Sequence, residues 1–444
     1  MKMVHVVGGG LAGSEAAWQL AERGIDVVLH EMRPVRGTPA HKTDKLAELV
    51  CSNTFKSTET HNAHGLLKAE MRLLGSMVLQ CADEARVPGG SALTVDREFF
   101  SARVHERVSS HPRITVVRDE VTNCPSPGII ASGPLTSDAL ATTIRERLGV
   151  EHLAFYDAIA PIVSVESIDQ SVAFRASRYD KETMPDAEGG AYLNCPMSRE
   201  EYDGFIDALT SADQASVKEF DTIDYFEGCM PIEEMARRGR DTLRFGPMKP
   251  VGLSDPRTGK RPYAVVQLRM EDRGGRMWNM VGFQTRIRFP EQARVFRMIP
   301  GLANAEFLRY GSIHRNSYLN SPATLTPFLT LRDDPMVFLA GQLTGVEGYT
   351  ESTASGLVAG INMARVLNGL EPVLPPPTTM LGALYRYLRE ADPQHFQPMN
   401  ANFGLVDELP REIKDKKLKR EKIAERALAD MQRWVDALEP VAMR

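Results

Sequence analysis

The sequence predicts an α/β fold in which a parallel-sheet domain is built from both ends of the chain, with a smaller α+β domain inserted between the halves. Three observations predict it. An apolar stretch at residues 3–7 runs into Gly8-x-Gly10-x-x-Gly13 and an Ala/Leu-rich helix. A second apolar stretch, 336–340, runs into a glycine turn at 341–348 and a small-residue helix over 352–367. Between about 155 and 300 the alternation of strand and helix lapses into short strands, glycines and charges.

The first turn has the Rossmann-like spacing. Gly8 lets the chain turn tightly, Gly10 lets the backbone approach a pyrophosphate, and Gly13 lets helix pack on sheet, while the free N–H groups of the helix start face the anion. Residues 25–30 read as the second strand. It ends in Glu31, close to the offset of ~20 residues at which an acid accepts hydrogen bonds from a ribose. Strand, glycines, helix, second strand and acid in that order predict a dinucleotide site.

After Glu31, a loop containing Gly37, Pro39 and His41 leads to a short helical pattern and then Cys51-Ser52-Asn53. Residues 64–85 place Leu66, Leu67, Met71, Leu74, Met77, Val78 and Cys81 at helical spacing, which assigns Cys81 to the core. A Gly-Gly turn, a short strand and an amphipathic helix follow. Residues 114–117 and 128–131 read as strands, the latter running into Ser132-Gly133-Pro134 as a third parallel strand beside a bound nucleotide would, with a helix over 135–149. Residues 263–270 and 277–283 alternate with period two around 271–275, a hairpin with arginines at its base and tip. The tail is helical from 412, basic at first. Its stripe of Ala424, Leu428, Met431, Val435 and Leu438 is too short for a coiled coil and is expected to pack on the body. The expected divisions are 1–180 and 311–444 for the two parts of the larger domain and 181–310 for the insertion.

With 43% hydrophobic and 25% charged residues, the 444-residue chain has the composition of a globular protein with core enough for two or three domains. No stretch approaches the ~18 uninterrupted apolar residues of a membrane span, and glycines interrupt the apolar start that a signal peptide would need. The expected compartment is the cytoplasm. Five cysteines without a CxxC pair exclude a disulfide framework and a zinc site, so any thiol chemistry is that of free cysteines and no metal is expected. The net charge of −5 conceals a split: ten Lys/Arg face three acids over 257–297, and eight face four over 411–426. That asymmetry suits a polyanionic partner.

The opening turn, Leu49-Val50-Cys51-Ser52-Asn53, residues 131–137, Gly228-Cys229-Met230-Pro231-Ile232-Glu233, Ile313-His314-Arg315-Asn316 and residues 341–352 occur in this order over about 350 residues. Together they resemble the folate- and FAD-dependent tRNA (uracil-5-)-methyltransferase family, which is related to the flavoprotein GidA. The resemblance implies a Rossmann-like FAD-binding domain, with Gly8, Gly9, Gly10, Leu11, Ala12 and Gly13 on the pyrophosphate, Glu31 on the ribose and Gly133 beside the nucleotide. Gly341, Gln342 and Gly345 would close on the flavin end. Gln342 stands where many flavoproteins carry Asp, and its amide can still bond a ribityl hydroxyl or phosphate.

Family chemistry transfers a methylene group from methylenetetrahydrofolate to uridine C5 and reduces it with FADH2, itself reduced by NADH or NADPH. Uracil C5 becomes nucleophilic only after a thiolate adds to C6, and a base must then remove the C5 proton. The resemblance points to Cys229 as nucleophile and Cys51 as acid/base partner; the sequence is compatible with either assignment. It also implies that His314 stacks on the folate pterin and Glu347 bonds to it. Arg269, Arg273, Arg276 and Arg286 of the basic hairpin, with Lys417, Lys419 and Arg420 of the tail, are the candidate contacts to RNA phosphates. The expected target is a T-loop uridine of tRNA. The alternatives are a ribosomal RNA uridine, GidA-like wobble modification, a flavin oxidoreductase acting on small molecules, and a module that holds FAD and RNA without turnover.

Overall fold

The computed structural model describes residues 3–149, 153–180, 190–214, 230–272, 274–409 and 413–438. Its larger sheet has five parallel strands in the spatial order Val337–Leu339, Gly128–Ile130, Met3–Val7, Asp26–His30, Ile114–Val117. Counted along the chain this is 5-4-1-2-3, the doubly wound order, and it switches direction between the first and fourth strands. Val4 opposes Val27 and Val6 opposes Leu29, all four buried, so a one-residue slip would bring half-buried His5 to the face they occupy.

Both ends of the chain meet on one face of this sheet. The Leu11–Ala21 helix packs on the Tyr349–Leu367 helix so closely that a Cβ at Gly356 would lie 2.1 Å from the Ala12 carbonyl oxygen. Two buried carboxylates fix further helices by their starts. Glu15 accepts from the Met77 and Val78 amides at the start of the Met77–Glu84 helix. Glu70 accepts from the Met380 and Leu381 amides, both at 2.8 Å, at the start of the Met380–Glu390 helix. Such amides have no partner within their own helix, and the positive end of the helix favours an acid there. Burial nonetheless pushes Glu70 up to about 8.

The smaller domain is a six-stranded antiparallel sheet, ordered Phe174–Ala176, Tyr192–Met197, Ala264–Met270, Met277–Met280, Ile162–Ser164, Phe307–Arg309. It has its own core, centred on Tyr202, Phe205, Trp278, Phe283 and Phe296. A two-stranded antiparallel ribbon, Leu153–Ile159 with Ser312–Tyr318, carries the chain into and out of it. The predicted hairpin is present. The domain begins before Ile162, however, so the expected boundary at 181 falls inside it; strands of three residues are too short to display a period.

Three local expectations change. The predicted helix over 64–85 is two, Ala63–Leu73 and Met77–Glu84, parted by Gly75 at φ +73° and by Ser76, whose hydroxyl accepts from the Leu79 amide as an N-cap. The helix expected from 135 begins at Asp138, which leaves 133–137 as a loop. The short helical pattern before Cys51 is a series of turns. The terminal helix, Lys416–Ala437, packs on the body through the predicted stripe, with Ala424 and Met431 buried and Leu428, Val435 and Leu438 half-buried; Ala427, outside the stripe, is buried too. Among the described residues no helix is long and apolar enough to cross a membrane.

Candidate active site

A cleft opens where the strand order switches, the position at which open α/β sheets bind their ligands. Its floor is the first glycine turn. Gly8 has φ +105°, and a Cβ there would meet the Ala131 carbonyl oxygen at 2.5 Å, so the turn tolerates no side chain. Gly13 lies beneath, closed off by the Gly8 oxygen. Gly10 differs: no atom lies within 4 Å of where its Cβ would be. The bare backbone at Gly10, Leu11 and Ala12 therefore faces open cleft at a helix start that no side chain caps. A pyrophosphate fits that arrangement.

Glu31 is buried at the edge of the cleft. It accepts from the Gly9 amide at 3.1 Å and from the amide, Nε and Nη2 of Arg33 at 2.9–3.0 Å. Burial alone would raise its carboxyl, but the hydrogen bonds and charge of Arg33 outweigh this and hold it below the usual carboxylate range. These four bonds fill the acceptor positions of the carboxylate, so Glu31 reaches a ribose only by exchanging one of them. Arg33 in turn bonds Glu48. No spacing in the sequence singles out Arg33 or Glu48.

Gly133, Gly341 and Gln342 line the cleft as expected. The Gln342 amide donates to Glu347 at 2.6 Å, which brings those two predicted residues together. Gly345 does not line the cleft: it lies under the Phe396 ring, 2.5 Å from where its Cβ would be, because its carbonyl pairs with the Met399 amide.

Beside the cleft, the loop from Leu49 to Asn53 is held at every residue. Arg97 donates to the Leu49 carbonyl at 3.0 Å and Arg309 to the Val50 carbonyl at 2.8 Å. The Cys51 and Ser52 amides donate to the Tyr349 hydroxyl at 2.9 and 3.1 Å. Asn53, fully buried, donates to the carbonyls of Val95 and Met270 and accepts from Arg269 Nε at 3.0 Å. Cys51 Sγ lies 3.0 Å from the same tyrosine oxygen. Burial, then the neighbouring sulfur, pushes the Tyr349 hydroxyl well above 10, so it stays protonated. Arg97 and Arg309 are both close enough to Cys51 to interact with its charge, and Arg97 pairs with Glu271 of the smaller domain at 2.5 Å. Reactive thiols sit in such electropositive surroundings.

This geometry corrects one RNA candidate. Arg269 is 7% exposed and spends its Nε on Asn53, so phosphates do not reach it. Arg286 is half-buried and bonds Glu234 at 2.6 Å. Arg276 is 82% exposed, and Lys417, Lys419 and Arg420 lie on the first turns of the terminal helix. Cys229, Arg273 and the side chain of His314 lie outside the described residues; the main chain of His314 pairs with Asp157 on the connecting ribbon. Tyr349, Arg97 and Arg309 join the site without standing among the residues the sequence singles out. Tyr349 alone carries a sequence signal, since it opens the helix after the second glycine turn.

The model of the family described as glucose inhibited division protein A matches residues 3–371. A Geobacter sulfurreducens protein named methylenetetrahydrofolate--tRNA-(uracil-5-)-methyltransferase TrmFO is 56% identical over 434 residues, covering 97% of this chain and 98% of its own. The Bacillus subtilis protein of the same name is 54% identical over 430 residues, covering 97% and 98%. A crystal structure of Aquifex aeolicus GidA matches 99% of this chain and 76% of its own with a TM-score of 0.70 at 16% identity, a likeness of fold.

Proposed function

The chain belongs to the TrmFO family within the wider glucose inhibited division protein A family, and from that premise we propose how its cleft works. It is a flavoprotein methyltransferase that methylates uracil C5 in tRNA with carbon from methylenetetrahydrofolate. The observation that carries the reading is the adjacency of two features: a dinucleotide cleft with an unobstructed backbone at Gly10, and a cysteine held at its side by a cleft-lining tyrosine.

FAD would lie along Gly8, Gly9, Gly10, Leu11 and Ala12, with Gly133, Gly341 and Gln342 as the facing wall. When bound and reduced, with NADH or NADPH as the electron source, it supplies the hydride that converts methylene to methyl. Cys229 is the thiolate that adds to uracil C6, and Cys51 takes the C5 proton. Arg97 and Arg309 lie beside Cys51, and the Tyr349 proton, directed at the sulfur, orients it. Loss of the C5 proton gives an enolate that expels the carrier of the methylene and leaves an exocyclic methylene on C5; once that carbon is reduced to methyl, the ring expels Cys229 from C6 and uracil is restored. His314 and Glu347 are assigned to the folate, Glu347 with Gln342 as its donor. Arg276, Arg286, Lys417, Lys419 and Arg420 are assigned to phosphates, and Arg273 remains with them. The target is a T-loop uridine, and the compartment is the cytoplasm, where tRNA and folate meet.

The test is to purify the protein, record its visible spectrum, and incubate it with unmodified tRNA, methylenetetrahydrofolate and NADH or NADPH. Flavin absorbance and 5-methyluridine at a T-loop position are expected. Cys51→Ser and Cys229→Ser should each abolish methylation and retain flavin. Two active variants would overturn the thiol assignment, and NADH oxidation without RNA product would favour an oxidoreductase of small molecules.

A further inference from the structure

On the smaller domain, three aromatic rings form a run at the surface. Phe289 stacks on Tyr310, and Tyr310 on Phe307, each pair with centroids 5.2 Å apart and planes 19° apart. The guanidinium of Arg297 lies 5.9 Å from the Phe307 ring and closes that end. The other end is open, because Phe289 is 55% exposed. An exposed phenylalanine whose inner face is already stacked offers only its outer face, and a flat π-system fits it.

The run is held rigid from below. Gln292, fully buried, donates to the Ile287 carbonyl at 2.6 Å and the Gly311 carbonyl at 2.9 Å, and accepts from the Gly311 amide at 2.8 Å. Ile287 stands two residues before Phe289, and Gly311 directly follows Tyr310. One side chain therefore fixes both partners of the outer stack to one another, and the platform is formed before anything binds.

Its surroundings are cationic. Arg288 and Arg297 are exposed, and among the described residues neither pairs with a carboxylate; they donate to the Gln214 and Ala305 carbonyls. The platform is also continuous with the candidate active site, since Arg309, next to Tyr310, reaches the Val50 carbonyl beside Cys51.

We propose that Phe289, Tyr310 and Phe307 form a stacking platform for an unpaired base of the RNA substrate close to the methylated uridine, with Arg288 and Arg297 on the adjoining phosphates. A uridine presented to Cys51 must leave its own stack, and its neighbours then lack stacking partners; the outer face of Phe289 replaces one. The inference rests on the tRNA methyltransferase reading and adds the surface by which the RNA is held.

The experiment measures kcat and KM for unmodified tRNA with wild type, Phe289→Leu and Phe289→Trp, alongside flavin content and sedimentation mass. Wild-type methylation establishes the underlying reading independently. Phe289→Leu keeps an apolar side chain without a π-face and is expected to raise KM for tRNA roughly ten-fold, with kcat, flavin and mass unchanged. Phe289→Trp is expected to hold KM at or below the wild-type value. An unchanged KM in Phe289→Leu overturns the platform. So does a KM raised equally in both variants, which would mark a packing role, or a change in mass without a change in KM, which would assign the face to a second copy of the chain.

Discussion

The Tyr349 hydroxyl stands 3.0 Å from the Cys51 sulfur while accepting the amides of Cys51 and Ser52. A hydroxyl has one proton and two lone pairs, so with both lone pairs engaged the proton points at sulfur. Tyr349→Phe removes that donor and leaves two amides without an acceptor, at about 1–3 kcal/mol for each buried group. With the proton that orients the sulfur gone, methylation should fall at least about ten-fold, about 1.4 kcal/mol in the barrier, and iodoacetamide labelling of Cys51 should change rate, with flavin absorbance retained. Wild-type turnover in this variant would exclude the tyrosine from the reaction.

Two neighbouring glycines are expected to fail differently. Gly8→Ala drives a Cβ into backbone and forces a positive φ on alanine, so it should lower thermal stability even without cofactor. Gly10→Ala meets no protein atom and should melt as wild type when free of FAD, yet bind FAD more weakly. Flavin titration followed by absorbance separates the two effects, and equal FAD affinity for Gly10→Ala and wild type would move the pyrophosphate elsewhere.

The Arg97–Glu271 pair crosses between the domains, with side chains 14% and 1% exposed. Arg97→Met strands a buried carboxylate, at a cost of about 3–5 kcal/mol. The double substitution Arg97→Met with Glu271→Met should recover a large part of that loss in urea unfolding. An additive double mutant would show that the two groups are not coupled.

Lys68 is buried and donates to the carbonyls of Phe55 and His64 at 2.7 and 2.8 Å; burial brings its amine down from 10.5 to about 7. Between those values the unfolded chain binds the proton and the folded chain does not, so this group makes the protein more stable as pH rises from 7 towards 10.5, and the gain is lost as pH falls through about 7. The slope is at most about 1.4 kcal/mol per pH unit. Lys68→Met should flatten this rise in melting experiments between pH 7 and 10; an unchanged profile would locate the slope in other groups.

The sequence displayed the glycine turns, the hairpin and the buried Cys81 because each depends on spacing within a few residues. It concealed what depends on partners far along the chain. Arg269 alternates in a strand as an outward-facing residue would, yet all seven residues of Ala264–Met270 are buried, and Asn53, more than 200 positions away, receives its hydrogen bond. Arg33 resembles any loop arginine until Glu31 and Glu48 converge on it. Ile162–Ser164 and Phe174–Ala176 are strands only because longer strands lie beside them.

The cleft has one wall at Gly8–Gly13 and the other at Gly341–Ser352, and the central sheet is incomplete until Val337–Leu339 is added. On the ribosome these walls are made roughly 330 residues apart, an interval of about 15–70 s at ~5–20 residues per second. From the synthesis of Ile130 until that of Val337, the nascent chain shows the free edge of Gly128–Ile130 and an unfilled seat for the closing helix. FAD therefore has no complete pocket to enter until Ser352 has been made, and the smaller domain, whose last strand ends at Arg309, has left the ribosome before the domain that surrounds it can close.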